Sequence, residues 1–573
     1  MSQSPPPPSS EDRSAELAAA AVPPELRWGV PAVMILALCL WAFPALDQYN
    51  VTWDEALGDF FFGERYLSFF TSGDGVYLDF LNNPYPPERS PDLSRAYFKI
   101  RPWEYYPVAN VLAAATSTVL SRWLGWLDPF DGFHAVNILL GALLIWVFYR
   151  FLHERYGAVT ATVAVGLLMT APRVVCHMMA NIKDFPLMVF YTLTVVAFFR
   201  AYEAGSVRGL LGSGAVLGLT LGTKANALFL PGIPLVLLLV GGIPQRWRKR
   251  RRMLVVALVA AGGLGIAVMF ALWPYLWPDP VGRAVEHLRY IGLRKEYSRP
   301  ESAAPVLQAI ALTTPVVFLA LFAIGLGLCL RRAWRRERLA ILLLAWIVVP
   351  LGRFLLPQAV NFDGVRHFLE IFPPMAAVAG LGAAWLGGRA VRLVATPSPR
   401  AVKAAMVVLL LLPGSWAVLR THPFQIAYWN GFAGGFAGAY SRGLPQASDY
   451  WGMSYRLGMR WINDNAPPDA LLAVPVVEHA VRLVAPERLR PDILLLPVTT
   501  PFSPRIAPDR LRRTRELARE RPLYVMFVER RDWMNELMID CLRYLEPEME
   551  WQLEGAPVLR IYRYVDSRVA PWE

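Results

Sequence analysis

The 573-residue chain is 55 % hydrophobic and 18 % charged, with a formal net charge of +12. Soluble domains carry closer to a quarter charged residues, and here the apolar excess falls in long runs such as Met253 to Trp273 and Val306 to Leu330, each long enough to cross ~30 Å of hydrocarbon as a helix. The basic residues sit in short clusters between those runs, which points to membrane topology rather than nucleic acid. The four cysteines, Cys39, Cys176, Cys329 and Cys541, have neither metal-pair spacing nor a disulfide pattern.

Residues 1–27 are rich in Pro, Ser, Ala and charge. They cannot bury enough apolar surface to fold and read as a disordered cytoplasmic tail. The first apolar run, Trp28 to Leu46, then spans. Phe43-Pro44-Ala45 loosely resembles a cleavage site, but the long polar tail in front favours an uncleaved anchor. The segments QRWRKRRR (Gln245–Arg252), RRAWRRER (Arg331–Arg338) and 389–403, with Arg389, Arg392, Arg400 and Lys403, belong on the cytoplasmic side. Working from these anchors, the outward-facing segments are 47–106, turns near 181–185 and Lys224, 274–305, 357–367 and everything after about 420.

Three apolar stretches, 107–121, 134–150 and 158–180, lie between the first outer loop and Asp184. Asp54 and Asp184 share a face only if an even number of these cross. One stretch must therefore be short, re-entrant or fused with its neighbour, and with two crossings the chain has about 11 transmembrane helices. Residues 28–420 form this membrane domain. Beyond it, ALLAVPVV (Ala470–Val477), DILLLPV (Asp492–Val498) and LYVMFVE (Leu523–Glu529) are runs of strand length, and Asp509–Glu520 has a helical pattern. The fold class is thus a polytopic α-helical membrane protein with a small C-terminal extracytoplasmic α/β domain, 421–573.

Five places carry candidate chemistry. NVTWDEALGDFFFGERYLSFF (Asn50–Phe70) opens the first outer loop, and its apolar residues Leu57, Phe60, Phe61, Tyr66, Leu67 and Phe70 suit an interfacial amphipathic helix. Asp54 and Glu55 at its start suit a base that takes a proton from an acceptor, or two acids that favour a helix N-terminus. In ANIKDFPLMVF (Ala180–Phe190), Lys183 and Asp184 mark a helix boundary and Pro186 starts the next helix. In GLTLGTKANALFLPG (Gly218–Gly232), Lys224 can hold a phosphate as a point charge or snorkel at a helix end. In NFDGVRHFLEIFPPMAAVAG (Asn361–Gly380), Arg366 suits bidentate phosphate binding, while a lone His367 is more often structural. In YFKIRPWEYYPVANVL (Tyr97–Leu112), Lys99 and Arg101 could neutralise a phosphate leaving group or anchor at lipid headgroups.

The ordered set TWDEA, KDFPLM, GLTLGTKANAL and VRHFLEIFPPMAAVAGL resembles the GT-C superfamily of membrane glycosyltransferases. It is most similar to the glycosyltransferase family 39 and protein O-mannosyltransferase group, with the lipid A aminoarabinose transferases as cousins. HPFQIAYWNGFAGGFAGAYSRGLPQASDYWGMSYR (His422–Arg456) resembles a segment after the last helix of bacterial members. The resemblance implies a hexosyl- or pentosyltransferase that moves a sugar, with inversion, from a polyprenyl-phosphate donor to a protein, lipid or polysaccharide acceptor. Asp54 would be the base, Glu55 would assist, and Asp184 would bind acceptor or metal. Lys224 and Arg366, with His367, Lys99 and Arg101 near them, would contact donor. No cofactor is required by this pattern, although carboxylates facing a phosphate could bind Mg²⁺ or Mn²⁺. A bacterial inner membrane with an extracytoplasmic site is the expected location.

Two departures stand out. IRPWEYYPV replaces the family's His-Pro-Pro or Lys-Pro-Pro segment, which puts the roles of Lys99 and Arg101 in doubt, and His367 stands where many members have tyrosine. A transporter or flippase of a lipid-linked sugar is the alternative. It predicts mid-helix charges and a repeat between halves, whereas the ionisable residues here cluster at outer helix ends.

Overall fold

The computed structural model describes residues 24–80, 102–292, 304–355, 363–394, 398–500 and 503–565. Lys99, Arg101 and nearly all of the N-terminal tail lie outside them. Among the described residues, eight helices are long and apolar enough to cross a membrane, and two shorter apolar helices, Val207–Leu221 and Ala225–Gly241, accompany them.

The helix Pro129–Met169 resolves the uncertain stretch. At Gly157 its backbone turns to φ 83°, the left-handed region that glycine enters at no steric cost, and the chain reverses there. Before the turn, Glu154 meets Arg200 at 2.8 Å. After the returning half, Arg173 donates to the carbonyl of Tyr428, at the opposite end of the bundle. The helix Pro107–Ser117 does not cross. Asn110, in its first turn, donates to Asp59, and Asp128, shortly after it, is paired with Arg488 at 2.8 Å. Both contacts lie on one face, so two crossings separate Asp54 from Asp184. Taking the two halves of Pro129–Met169 separately and adding both shorter helices gives eleven apolar helical segments among the described residues.

The basic segments group on the face away from the Asp54 loop. Arg338 binds Glu203 there (Nη2 to Oε2, 3.0 Å), and Arg246 donates to the carbonyl of Ala204. Some crossings are close enough to exclude side chains. Between helices Val316–Trp334 and Phe372–Val394, a Cβ on Gly325 would meet the carbonyl oxygen of Val378 at 1.8 Å, and one on Gly382 that of Leu321 at 2.3 Å. Small residues at such contacts let backbones approach, the usual basis of helix packing in lipid.

The helix Phe60–Ser72 differs from expectation. Its aromatic face packs on protein rather than lying free at the interface. Phe60 stacks on Phe133 with centroids 3.8 Å apart and Phe62 on Tyr105 at 4.6 Å, while Phe70 stays exposed.

The C-terminal α/β unit has strands β1 (Leu471–Ala473), β2 (Leu494–Leu496), β3 (Leu523–Val528), β4 (Met549–Leu553) and β5 (Ala556–Tyr564), in the order β2-β1-β3-β5-β4. β1 runs parallel to β2 and β3, and β5 is antiparallel to β3 and β4. The three strand runs expected from sequence become β1 to β3. The β4–β5 hairpin, which the sequence reading passed over, turns at Glu554-Gly555, both at positive φ as a tight hairpin requires.

This unit is bolted to the bundle by a partly buried four-member network. Arg456 binds Asp131 at 2.5 Å and Asp128 at 3.1 Å, and Arg488 binds Asp128 at 2.8 Å and Asp131 at 3.0 Å. Asp128 also caps the helix that it precedes, accepting from the Phe130 and Asp131 amides.

Candidate active site

The site begins with Thr52-Trp53-Asp54-Glu55. The amide and hydroxyl of Thr52 both donate to Glu55 Oε2, at 2.9 and 2.8 Å, so Glu55 reaches back to the residue ahead of the helix and makes one half of a capping box. His134 Nε2 lies 3.1 Å from the same oxygen, and the Ile182 amide donates to Oε1 at 3.2 Å. Glu55 is 1 % exposed with both oxygens engaged. It therefore joins the Asp54 loop to the Asp184 loop. Its neighbour Asp54 points the other way, is partly exposed and pairs with Arg366. Burial alone would raise the Asp54 carboxyl, but Arg366 and Lys183 outweigh it and hold it well below the usual carboxylate range.

The turn before Asp184 is shaped by Asn181. Its Oδ1 accepts from the Lys183 and Asp184 amides at 3.1 and 2.8 Å, and its Nδ2 donates to Asp184 Oδ2 at 2.9 Å. Asp184 forms an ion pair with Lys224, which lies in extended backbone just after helix Val207–Leu221. Lys183 turns back to Asp59, 3.4 Å from Oδ1, and lies over the Tyr105 ring at 5.0 Å.

The sequence reading missed Asp59. It follows Glu55 by four residues through a π-helical turn, Glu55–Asp59, so the i, i+4 spacing of acids in TWDEALGDFF was the available signal. Asp59 is fully buried, with Asn110 donating to Oδ1 at 3.2 Å. Burial pushes its carboxyl up to about 6, the charges of Asp54 and Glu55 add to that, and Lys183 offsets part of it.

Arg366 enters from a short turn, Arg366–Ile371, ahead of a long helix. Besides Asp54 it faces Asp363, at 3.4 Å, and its guanidinium lies over the Trp451 ring at 5.0 Å. Asp363 and Gly364 both adopt positive φ, and a Cβ on Gly364 would meet the Tyr450 hydroxyl at 2.9 Å. Glycine is needed there to bring Arg366 against the α/β unit. His367 contributes its backbone carbonyl, which accepts from Asn226 at 2.9 Å.

Asp54, Asp184, Lys224 and Arg366 are thus brought together as expected, with Asp59 and Lys183 added. Three carboxylates each face one cation. Among the described residues, no group of three or more His, Cys, Asp or Glu side chains is placed to hold a metal ion.

Residues 128–273 match the family model described as dolichyl-phosphate-mannose-protein mannosyltransferase. No curated protein matches the chain. Among solved structures, ArnT from Cupriavidus metallidurans in the apo state aligns with a TM-score of 0.50 at 16 % identity, covering 93 % of this chain and 97 % of ArnT. The same protein bound to undecaprenyl phosphate aligns at 0.49 and 16 %, covering 94 % and 99 %. The oligosaccharyltransferase AglB from Archaeoglobus fulgidus aligns at 0.46 and 10 %, covering 88 % and 69 %.

Proposed function

From the GT-C fold of this chain, as its sequence motifs led one to expect, we propose that it is a membrane glycosyltransferase whose donor is a sugar on a polyprenyl phosphate. The observation that supports this reading is the set of three carboxylate–cation pairs, Asp54–Arg366, Asp184–Lys224 and Asp59–Lys183, on the face that meets the α/β unit. A family match to a dolichyl-phosphate-mannose transferase over residues 128–273 agrees with it.

The reaction is a displacement at the anomeric carbon. The acceptor oxygen or nitrogen forms a bond to that carbon, the bond from carbon to phosphate oxygen breaks, and the sugar inverts. Asp54 takes the acceptor proton. Arg366 and Lys224 stabilise the charge that grows on the leaving phosphate. The same cation serves both ends of the step: as the phosphate draws on the charge of Arg366, the hold of Arg366 on Asp54 weakens and Asp54 gains affinity for a proton. Asp184 aligns Lys224 and faces the acceptor. The site opens on the face opposite the basic loops, which is extracytoplasmic by the positive-inside rule, and the membrane is a bacterial inner membrane. The acceptor is a protein, lipid or polysaccharide.

The test is a transfer assay on purified protein in lipid. Labelled polyprenyl-phosphate mannose, glucose and aminoarabinose are offered separately, each beside Asp54→Asn. Label that leaves one donor for an acceptor or water, and is lost in the variant, names the sugar. Binding without turnover of any donor would favour a flippase for the lipid-linked sugar and would overturn the reading.

A further inference from the structure

Arg366 is not held by Asp54 alone. It sits between Asp54 and Asp363, and Asp363 in turn sits between Arg366 and Arg530, whose Nη2 is 3.1 Å from Asp363 Oδ1. The other Asp363 oxygen accepts from Trp451 Nε1 at 3.1 Å. The charges alternate along this chain: Asp54, Arg366, Asp363, Arg530. Side-chain exposure is 4 % for Arg366, 7 % for Asp363 and 10 % for Arg530, so water screens them little. Arg530 follows β3 in the C-terminal unit. It is fixed by donating to the Tyr450 carbonyl at 2.9 Å, and it lies over the Trp53 ring at 5.0 Å, next to Asp54.

Resting on the donor reading above, we infer that Arg530 is a positioning residue for donor phosphate, acting from the α/β unit through Asp363 on Arg366. The physical reason is competition for one guanidinium. Asp363 and the donor phosphate both draw on Arg366. Arg530 neutralises Asp363 from the far side and leaves the charge of Arg366 available to the phosphate. Without Arg530, the full carboxylate charge of Asp363 falls on Arg366, and the phosphate meets a cation already compensated. The C-terminal unit thereby supplies part of the electrostatics of a site whose other charged groups lie on the bundle. Its role is donor affinity, not only a roof over the site.

The experiment compares wild type, Arg530→Gln, Asp363→Asn and the double variant as full-length protein in nanodiscs. Affinity for undecaprenyl phosphate, donor KM, kcat and thermal unfolding are measured on each. Arg530→Gln weakens undecaprenyl phosphate binding and raises donor KM by about tenfold, within the coupling seen in buried charge networks, and kcat changes less. Asp363→Asn in that background restores most of the loss, because the carboxylate that over-neutralises Arg366 is gone. A merely structural Arg530 predicts the opposite, a second lesion that adds to the first.

Binding by Arg530→Gln equal to wild type, or a double variant worse than the single one, overturns the inference while leaving the donor reading intact. Wild type that neither binds undecaprenyl phosphate nor transfers from any donor overturns the donor reading, and this inference with it. Should Arg530→Gln fail to fold, Arg530→Lys carries the test. It keeps the charge and stays within about threefold of wild type, and a folded Arg530→Lys protein with a tenfold loss overturns the charge-based role.

Discussion

Asp54 and Glu55 are adjacent in sequence and opposite in orientation. Asp54 faces the cation cluster, whereas Glu55 is turned into the protein with both oxygens engaged. Asp54→Asn should lower transfer at least a hundredfold, the scale of a lost general base, with donor binding retained. Glu55→Gln should instead cost about 1–3 kcal/mol of stability, because a buried donor loses its acceptor, and its melting temperature should fall more than that of Asp54→Asn. Thermal unfolding and transfer assays on the two variants separate the roles.

Asp59 adds a pH dependence. Its folded value, raised to about 6, exceeds the ~3.9 of an unfolded aspartate. Its contribution to stability is therefore fully present below about pH 4 and is lost as pH rises through about 6. The stability of wild type relative to Asp59→Asn should fall across that window and level off above it, as read by unfolding midpoints in lipid. Sequence pointed to Asp54, Asp184, Lys224 and Arg366 because each stands at the end of an apolar run, where a charge is conspicuous. It could not separate Asp54 from Glu55, since which carboxylate points inward depends on the distant partners His134 and Ile182. Asp363 and Arg530 carried no local signal, because their partnership joins positions 167 residues apart.

At the scale of elements, backbone contact decides what can be substituted. Helices Val316–Trp334 and Phe372–Val394 meet where Gly325 faces the Val378 carbonyl. Gly325→Leu should push the helices apart at a cost of about 1–3 kcal/mol or more, seen as a lower unfolding temperature and reduced yield of monodisperse protein. By contrast Gly327, with open space around its Cβ position, should accept alanine with little change. Strand-length apolar runs announced β1 to β3. The β4–β5 pair carried a different signal, polar and apolar residues alternating through MEWQL as in a half-exposed strand, rather than the continuous apolar runs of β1 to β3. The aromatic helix after Asp54 had the right period, but only tertiary packing decides whether such a face meets lipid or Phe133.

For the whole molecule, the network of Arg456 and Arg488 with Asp128 and Asp131 couples the α/β unit to the bundle. Breaking a buried pair from one side costs about 3–5 kcal/mol. Arg488→Met should therefore loosen the unit, giving faster proteolysis after residue 421 and weaker donor binding, since Arg530 moves with it. A shared face for Asp54 and Asp184 requires an even number of crossings between them, but composition alone does not say that the helix beginning at Pro107 stays on one face.

The reversal at Gly157 has a practical consequence for mapping by reporter fusion or epitope insertion. Two passes are joined there through the short polar stretch His153 to Gly157, which is helical up to the glycine and leaves no long loop to accept a tag, a label or a protease. A hydropathy count that takes the 41-residue helix as one span loses a crossing and inverts the assigned sidedness of every segment on one side of it. Relatives that fold this way would then be drawn with half their acidic residues on the wrong side of the membrane, and their shared pocket would vanish from the diagram.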